Sequence, residues 1–197
     1  MPSCAVASDI VFGSAAYLPT NHFPEDVVNV RASASMPAVS RVVEIDGHRY
    51  LDGGTTDAIP FGAALGLEGE PEIEGYEPAR RALVVVTQDR GYVKSGNSEG
   101  IAIRSHRYDG YPYYLEALRT RGERYNAQRA RLWEHEAAGD CLVIAPEKPV
   151  EVKVNEHVGA PLLDLYLQGR RQTAARPDEA RAFLAADSAA RPRTPPA

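Results

Sequence analysis

The segment "RVVEIDGHRYLDGG", residues 41–54, carries the strongest local fold signal in the chain. Two β-rich runs, "RVVEI" and "HRYL", are separated by only two residues, Asp46 and Gly47. An Asp-Gly pair between two such runs is typical of a tight β-hairpin turn. Asp46-Gly47 is therefore predicted to be a turn with no chemical role. Counting outward from this turn predicts the cross-strand pairs Glu44–Arg49 and Val43–Tyr50.

Length and composition predict one domain with a sizeable core. The chain has 197 residues, of which 44% are hydrophobic. We expect a domain over residues 1–186 and a disordered tail over residues 187–197, "DSAARPRTPPA". The net charge of -5, with arginines interspersed among acidic residues, argues against binding of nucleic acid.

The cysteines and the N-terminal residues favour a cytoplasmic protein. Cys4 and Cys141 each lie in an apolar, strand-like run, and two cysteines build neither a disulfide framework nor a Cys-rich metal motif. Asp9 interrupts the first apolar stretch, which excludes an ordinary signal peptide. No apolar run approaches the roughly eighteen residues that a membrane span needs.

The remaining pattern predicts an α/β fold with a mainly parallel sheet and helices on both faces, because strand-like runs alternate with helical ones. The run "ALVVVT", residues 82–87, is continuously apolar and is predicted to be a strand buried on both faces. The other predicted elements are short strands around Ile10–Gly13, a helix starting near Pro24, a strand over residues 141–145, and helices over residues 59–67, 112–138, 161–168 and 177–186.

A second Asp-Gly pair follows the hairpin directly. Asp52 ends the second hairpin strand, and Gly53 and Gly54 turn the backbone sharply without side chains that would shield the carboxylate. A carboxylate in a partly dry site can act as a general base for a serine hydroxyl. Taken alone, the spacing favours a turn. Asp57 is the alternative carboxylate, which we expect to support the loop or to cap the helix near Ile59.

The surroundings of Asp52 resemble a known family. The segments "VRASASMPAVSRVVEIDGHRYLDGGTTDAIPFGAAL", "ALVVVTQDRGY" and "YPYYLEALRTRGERYN" are similar to the C-terminal half of bacterial patatin-like phospholipase domains, over about residues 5–169. The resemblance implies a patatin-like α/β/α fold that is incomplete at its N-terminus. It also implies that Asp52 is the proton acceptor of a Ser-Asp dyad, with Gly53 and Gly54 as the glycines of its motif.

No serine of the chain fits the nucleophile of that family, which lies on a Gly-x-Ser-x-Gly elbow before the aspartate. "GNSEG", residues 96–100, matches the pattern, but no strand feeds directly into Ser98 and no clear helix leaves it. Ser98 is therefore predicted to be a loop serine. Ser14 lacks the second glycine, and Ser33 and Ser35 are predicted to be packing residues.

Other reactive side chains do not form a second site. The five histidines lack metal-ligand spacing, and no glycine-rich phosphate loop occurs, so neither a metal nor a cofactor is predicted. Four tyrosines could meet a lipid interface, although packing at the start of the long helix is favoured. These are Tyr108, Tyr111, Tyr113 and Tyr114.

Two functional hypotheses stay open on these residues. The first is a patatin-like serine ester hydrolase with a lipid or acyl-ester substrate and peripheral membrane contact, for which this chain holds the aspartate. The second is a catalytically inactive, truncated or pseudo-enzyme form that binds lipid or a partner. A third reading is an α/β domain unrelated to that family, in which Asp52 only caps a turn. An ion pair between Asp52 and Arg41 would favour a structural role for this aspartate.

Overall fold

The computed structural model describes residues 3–96, 99–152 and 156–188. This part of the chain forms two compact units. The first unit holds the residues up to Glu77 and Lys94–Ala130, and the second holds Pro78–Val93 and the described residues from Arg131 onward. Most of the predicted tail, residues 189–197, lies outside the described residues, so the tail stays a prediction.

The sheet of the first unit confirms the predicted hairpin. Its strands are β1 (Cys4–Asp9), β2 (Ser14–Pro19), β3 (Val43–Ile45) and β4 (His48–Asp52), in the order β2-β1-β4-β3. Asp46 and Gly47 have φ angles of 51° and 81°, and two consecutive positive φ angles are what a type I′ turn requires. The register also agrees with the prediction, since Val43 pairs with Tyr50 and Glu44 with Arg49.

Helices and strands are both present, as predicted, but the mainly parallel sheet is not observed. All pairings of the four-stranded sheet are antiparallel. Only four residues connect β1 to β2 and only two connect β3 to β4. Parallel pairing needs a crossover of about a dozen residues or more, so connections this short force antiparallel hairpins.

Helices of the first unit cover both faces of this sheet. Tyr50 and Leu51 are consecutive on β4, so their side chains point to opposite faces and join different core clusters. Tyr50 packs with Ala32 of α1, whereas Leu51 packs with Tyr114 and Leu118 of α4. The helices are α1 (Val27–Ser33), α2 (Phe61–Leu65), α3 (Gly100–Arg104) and α4 (Pro112–Ala138), whose last turns belong to the second unit.

The second unit contains a two-stranded parallel sheet, which is the parallel strand pair of the described residues. Strands β5 (Ala82–Val85) and β6 (Cys141–Ile144) pair in parallel, and α5 (Gly159–Ala174) and α6 (Pro177–Ser188) follow. Strand β6 is buried throughout, but β5 alternates, and Val85 is 69% exposed. The prediction that residues 82–87 are buried on both faces is therefore wrong. An apolar run does not reveal how many neighbours its strand has, and β5 pairs with one strand in the described structure.

Several helices differ from their predicted bounds: α1 begins at Val27 rather than near Pro24, α2 is shorter than residues 59–67, and α6 extends to Ser188. Helix α5 continues through Gly169, where the prediction ended it, because the residues that follow can remain helical and an interior glycine costs only about 1 kcal/mol. Helix α3 was missed, since its five residues carry no clear start signal, so the expectation that no helix follows "GNSEG" is wrong. The described residues 91–96, which precede Ser98, form no strand, as expected. Helix α4 has the predicted bounds.

Candidate functional site

Asp52 lies at the end of the inner strand β4, and its main-chain N–H and carbonyl are both hydrogen-bonded. Its N–H donates to the carbonyl of Ser35 at 2.8 Å, and its carbonyl accepts a hydrogen bond from Ser8 Oγ at 2.7 Å. Ser8 is fully buried on β1. The sheet and the segment after α1 therefore hold the Asp52 backbone in one position.

The Asp52 side chain caps the turn that follows it. Its Oδ1 accepts the Gly54 N–H at 2.7 Å, at the start of a 3-10 turn over Gly53–Thr55. Within the described residues, Oδ2 accepts no hydrogen bond, and the residue is partly buried. One carboxylate oxygen thus has a structural role, and the other is available to a donor.

Neighbouring atoms lie so close to Gly53 and Gly54 that a side chain at either position would meet them. A Cβ on Gly53 would overlap the Val6 carbonyl on the neighbouring strand β1. A Cβ on Gly54 would lie 3.0 Å from Asp52 Oδ1 and 3.1 Å from Nη2 of Arg121. Gly53 lets the turn pack against the sheet, and Gly54 leaves space between the carboxylate and the guanidinium.

A hydrogen bond from Arg121 anchors this turn to the long helix, and an ion pair with Glu99 holds Arg121 in place. Arg121 of α4 donates through Nε to the Gly54 carbonyl at 2.7 Å and through Nη1 to Glu99 Oε1. The Arg121 and Glu99 side chains are 21% and 10% exposed, so the pair is largely shielded from water. Arg121 therefore ties the motif turn to the residue preceding α3.

A lysine adds further charge beside the carboxylate. Lys94 Nζ lies 3.9 Å from Glu99 Oε1. Burial and the neighbouring Arg121 lower the pKa of Lys94, while the negative charges of Glu99 and Asp52 act in the opposite direction. The Asp52 carboxylate thus lies within electrostatic range of a partly buried cation.

Asp57 has a structural role, as predicted, but it does not cap a helix. Its carboxylate accepts hydrogen bonds from Tyr17 on β2 and, at 2.6 Å, from Gln128 Nε2 on α4. Helix α2 begins after Pro60 without a side-chain cap. Both Asp57 oxygens are occupied, so this buried carboxylate is a poorer candidate base than Asp52.

No serine hydroxyl donates to the Asp52 carboxylate within the described part of the chain. Ser8 donates to the main-chain carbonyl of Asp52 and also lies 2.8 Å from Thr56 Oγ1. Ser35 is buried and donates to Arg31, in agreement with a packing role. Ser14 starts β2 and is exposed, and Ser98 lies outside the described residues.

Other sequence candidates lie outside this arrangement. Arg41 is exposed, and no ion pair joins it to Asp52 in the described structure. His48 Nδ1 lies 2.9 Å from the carboxylate of the buried Asp9, so this histidine is hydrogen-bonded to a different carboxylate from that of Asp52. No group of metal-ligating side chains occurs among the residues that were described.

The tyrosine cluster is mainly a packing feature. Tyr108 and Tyr114 are buried with their rings 5.2 Å apart in an edge-to-face arrangement. Burial raises the pKa of Tyr114, whose hydroxyl lies 3.4 Å from Thr55 Oγ1 in the motif turn. Tyr113 is the exposed member of the cluster.

Sequence reasoning missed the contribution of α4 to the site. Arg121, Arg124 and Gln128 reach Gly54, Thr55 and Asp57, respectively. The three α4 residues follow the spacing i, i+3, i+7 and therefore share one helix face. That spacing of long polar side chains was the available signal, although it does not identify the loop that they contact.

Comparison with family models gives two separate matches. Residues 16–65 match the model described as Patatin-like phospholipase, and this stretch includes Asp52, Gly53 and Gly54. Residues 111–185 match the model described as Domain of unknown function (DUF6363). The patatin-like match ends at residue 65, so the predicted extent of the resemblance, residues 5–169, is corrected to this shorter segment. A search of curated proteins found no match.

Proposed function

We propose that this chain carries the general base of a patatin-like serine ester hydrolase that acts on lipid acyl esters, and that Asp52 is this base. The observation that carries the proposal is the patatin-like phospholipase match over the segment containing Asp52-Gly53-Gly54. The free Oδ2 of Asp52 supports it, because a base needs an oxygen that no structural hydrogen bond occupies.

The proposed reaction uses Asp52 to activate a serine hydroxyl. The carboxylate takes the hydroxyl proton while the serine oxygen attacks the ester carbonyl. The protonated carboxyl group then donates to the leaving alcohol, and an acyl-serine forms. Water, deprotonated by the same carboxylate, releases the fatty acid. Serine and carboxylate supply these steps without a cofactor.

Arg121 has a positioning role in this proposal. It holds the Gly54 carbonyl, and the Gly54 N–H in turn holds Oδ1 of the base. The carboxylate is therefore held through Oδ1, which leaves Oδ2 as the reacting oxygen. Arg121 itself is engaged by Glu99, which keeps its guanidinium beside the turn.

The proposal places the protein at the cytoplasmic side of a lipid surface, where acyl esters are concentrated.

An experiment identifies the serine that Asp52 activates. Ser98 stays a predicted loop serine, and Ser98→Ala is expected to leave hydrolysis unchanged. Mapping the serine that reacts with a fluorophosphonate probe identifies the nucleophile without assuming its position.

The role of Asp52 is tested by making the same substitution in each of the two Asp-Gly motifs. Asp52→Asn removes the base but keeps a cap, because an asparagine side chain accepts from an N–H as well as aspartate does. Asp46→Asn makes the same chemical change in the hairpin turn, where asparagine tolerates the positive φ angle. If the wild type hydrolyses a chromogenic short-chain ester, we expect Asp52→Asn to abolish hydrolysis and Asp46→Asn to retain it. Hydrolysis that survives Asp52→Asn would contradict the assignment.

The cap itself favours a second candidate, a catalytically inactive module that binds lipid or a partner. The Gly54–Asp52 hydrogen bond would hold this aspartate in place in a protein without any catalysis. This candidate predicts no ester hydrolysis and no fluorophosphonate labelling of the wild-type chain, together with retained binding of an acyl lipid.

A further inference from the structure

Helix α5 (Gly159–Ala174) exposes large apolar side chains to solvent. Leu163 and Tyr166 are 56% and 58% exposed, and no residue of the helix is buried. The exposed set, here called the α5 apolar face, consists of Leu162, Leu163, Tyr166 and Leu167. These positions lie four residues apart in two pairs, so they occupy one side of the helix.

The side of α5 that is partly shielded from solvent is mainly polar. The residues of intermediate burial are Leu165, Gln168 and Gln172. They follow the spacing i, i+3, i+7 and define a face different from the apolar one. A helix of a globular protein normally turns its apolar side to the core and its polar side to water. Helix α5 has the reverse arrangement, which indicates that something covers its outer face.

Two arginine side chains lie on α5 close to the α5 apolar face. Arg170 and Arg171 are both exposed, and the Arg170 guanidinium lies 5.9 Å from the Tyr166 ring centroid. Asp164 is the single acidic residue of α5, in a chain whose net charge is -5. The helix therefore combines exposed aliphatic side chains, an exposed tyrosine and adjacent arginines, which is the composition of a helix that binds at a lipid interface.

We propose that the α5 apolar face docks on an anionic lipid surface, with Arg170 and Arg171 contacting lipid phosphates. A second copy of this chain fits less well. A symmetric pair of α5 helices would bring together four arginines and only two aspartates, whereas an anionic surface supplies charge to every arginine. The helix lies in the plane of the interface, because its sixteen residues reach about 24 Å and a bilayer core is about 30 Å thick. In the described structure, no helix is both long and apolar enough to span a membrane.

This inference does not depend on ester hydrolysis, so its test uses binding alone. The full chain is mixed with phosphatidylcholine vesicles, with or without phosphatidylglycerol, and the bound fraction is measured by flotation. We expect binding to the vesicles that contain phosphatidylglycerol and weaker binding as the salt concentration rises. Leu163→Ser and Tyr166→Ser should each lower the partition coefficient about tenfold or more. Arg170→Gln and Arg171→Gln should each lower it about fivefold.

A matched control separates the α5 apolar face from general surface hydrophobicity. Leu184 on α6 is 46% exposed, so Leu184→Ser removes a comparable side chain from the helix that follows α5. This variant should bind vesicles as the wild type does. All three leucine and tyrosine positions are exposed, so the substitutions should leave the far-UV circular dichroism spectrum unchanged.

Three results would overturn the proposal. The first is an absence of vesicle binding by the wild-type chain. The second is equal loss of binding in Leu163→Ser and Leu184→Ser. The third is a wild-type dimer that Leu163→Ser converts to a monomer in sedimentation velocity, without any vesicle binding, since a second copy would then be the partner of this face.

Discussion

Removal of the Arg121 guanidinium should destabilise the first unit by a measurable amount. In Arg121→Met, the Gly54 carbonyl loses its donor and Glu99 loses its closest arginine. Breaking a fully buried ion pair costs about 3–5 kcal/mol. The Arg121 and Glu99 side chains are 21% and 10% exposed, and Lys94, which the variant keeps, lies 3.9 Å from Glu99. We therefore expect Arg121→Met to lower the free energy of unfolding by about 2 kcal/mol.

Urea unfolding followed by far-UV circular dichroism measures this loss. Arg119→Met is the matched control, since Arg119 lies on the same helix and its ion pair with Glu116 is exposed at both ends. This control should change the free energy of unfolding by less than about 0.5 kcal/mol. A double-mutant cycle of Arg121→Met with Glu99→Gln should give a coupling energy of about 1 kcal/mol or more. If Arg121→Met costs no more than Arg119→Met in unfolding free energy, Arg121 does not anchor the motif turn.

Three further outcomes follow from local contacts. Gly53→Ala should cost about 1–3 kcal/mol in unfolding free energy, because its Cβ would overlap strand backbone, whereas Gly110→Ala, which meets open space, should be close to neutral. Tyr17→Phe should cost about 1–3 kcal/mol, because it removes the hydroxyl that donates to the buried Asp57 carboxylate; equal urea midpoints for the variant and the wild type would exclude this role. Burial and nearby carboxylates raise the pKa of the Cys141 thiol from its ordinary 9.0 to about 11. The folded state then binds the thiol proton more tightly than the unfolded state, so stability should fall as pH rises from about 9 towards 11, and Cys141→Val should remove that fall in a pH series of unfolding curves.

Local signals in the sequence predicted the parts of the fold that local chemistry decides. Asp46-Gly47 determined the hairpin and its register, because only a few residue pairs adopt two consecutive positive φ angles. Helix α4 has its predicted bounds, from Pro112, where proline suits a first turn, to Ala138, where Gly139 follows with a φ angle of 86°.

Strand partners were not predictable in the same way. The apolar run over residues 82–87 indicated a strand, but its burial depends on which strands pair with it. The alternation of strands and helices suggested parallel crossovers, whereas the lengths of the connections decided the pairing. The four residues between β1 and β2 are too few for a crossover, and this length was visible in the sequence once both strands had been placed.

The sequence identified Asp52 as a candidate site residue, but it did not identify the residues that hold Asp52 in place. Asp52-Gly53-Gly54 was recognisable as a motif, and a strand end followed by glycines placed the carboxylate in an accessible turn. Its anchor, Arg121, lies 67 residues away in the sequence. Such a contact depends on how α4 crosses the sheet, and this crossing is set by core packing of residues such as Leu118 rather than by a local pattern.

The outward apolar face of α5 also escaped prediction. Its leucines gave an ordinary amphipathic pattern, and such a pattern does not show which side of a helix meets the rest of the protein. The exposure of Leu163 and Tyr166 became evident only from their surroundings in the structure.

The rate at which a fluorophosphonate probe labels the protein tests most directly whether Asp52 is a general base, because labelling reports activation of the serine hydroxyl itself. General-base catalysis contributes about 10²–10⁴-fold, so Asp52→Asn should slow labelling by about 10²-fold or more. Asp46→Asn should label at the wild-type rate. Equal labelling rates for Asp52→Asn and the wild type would contradict the account.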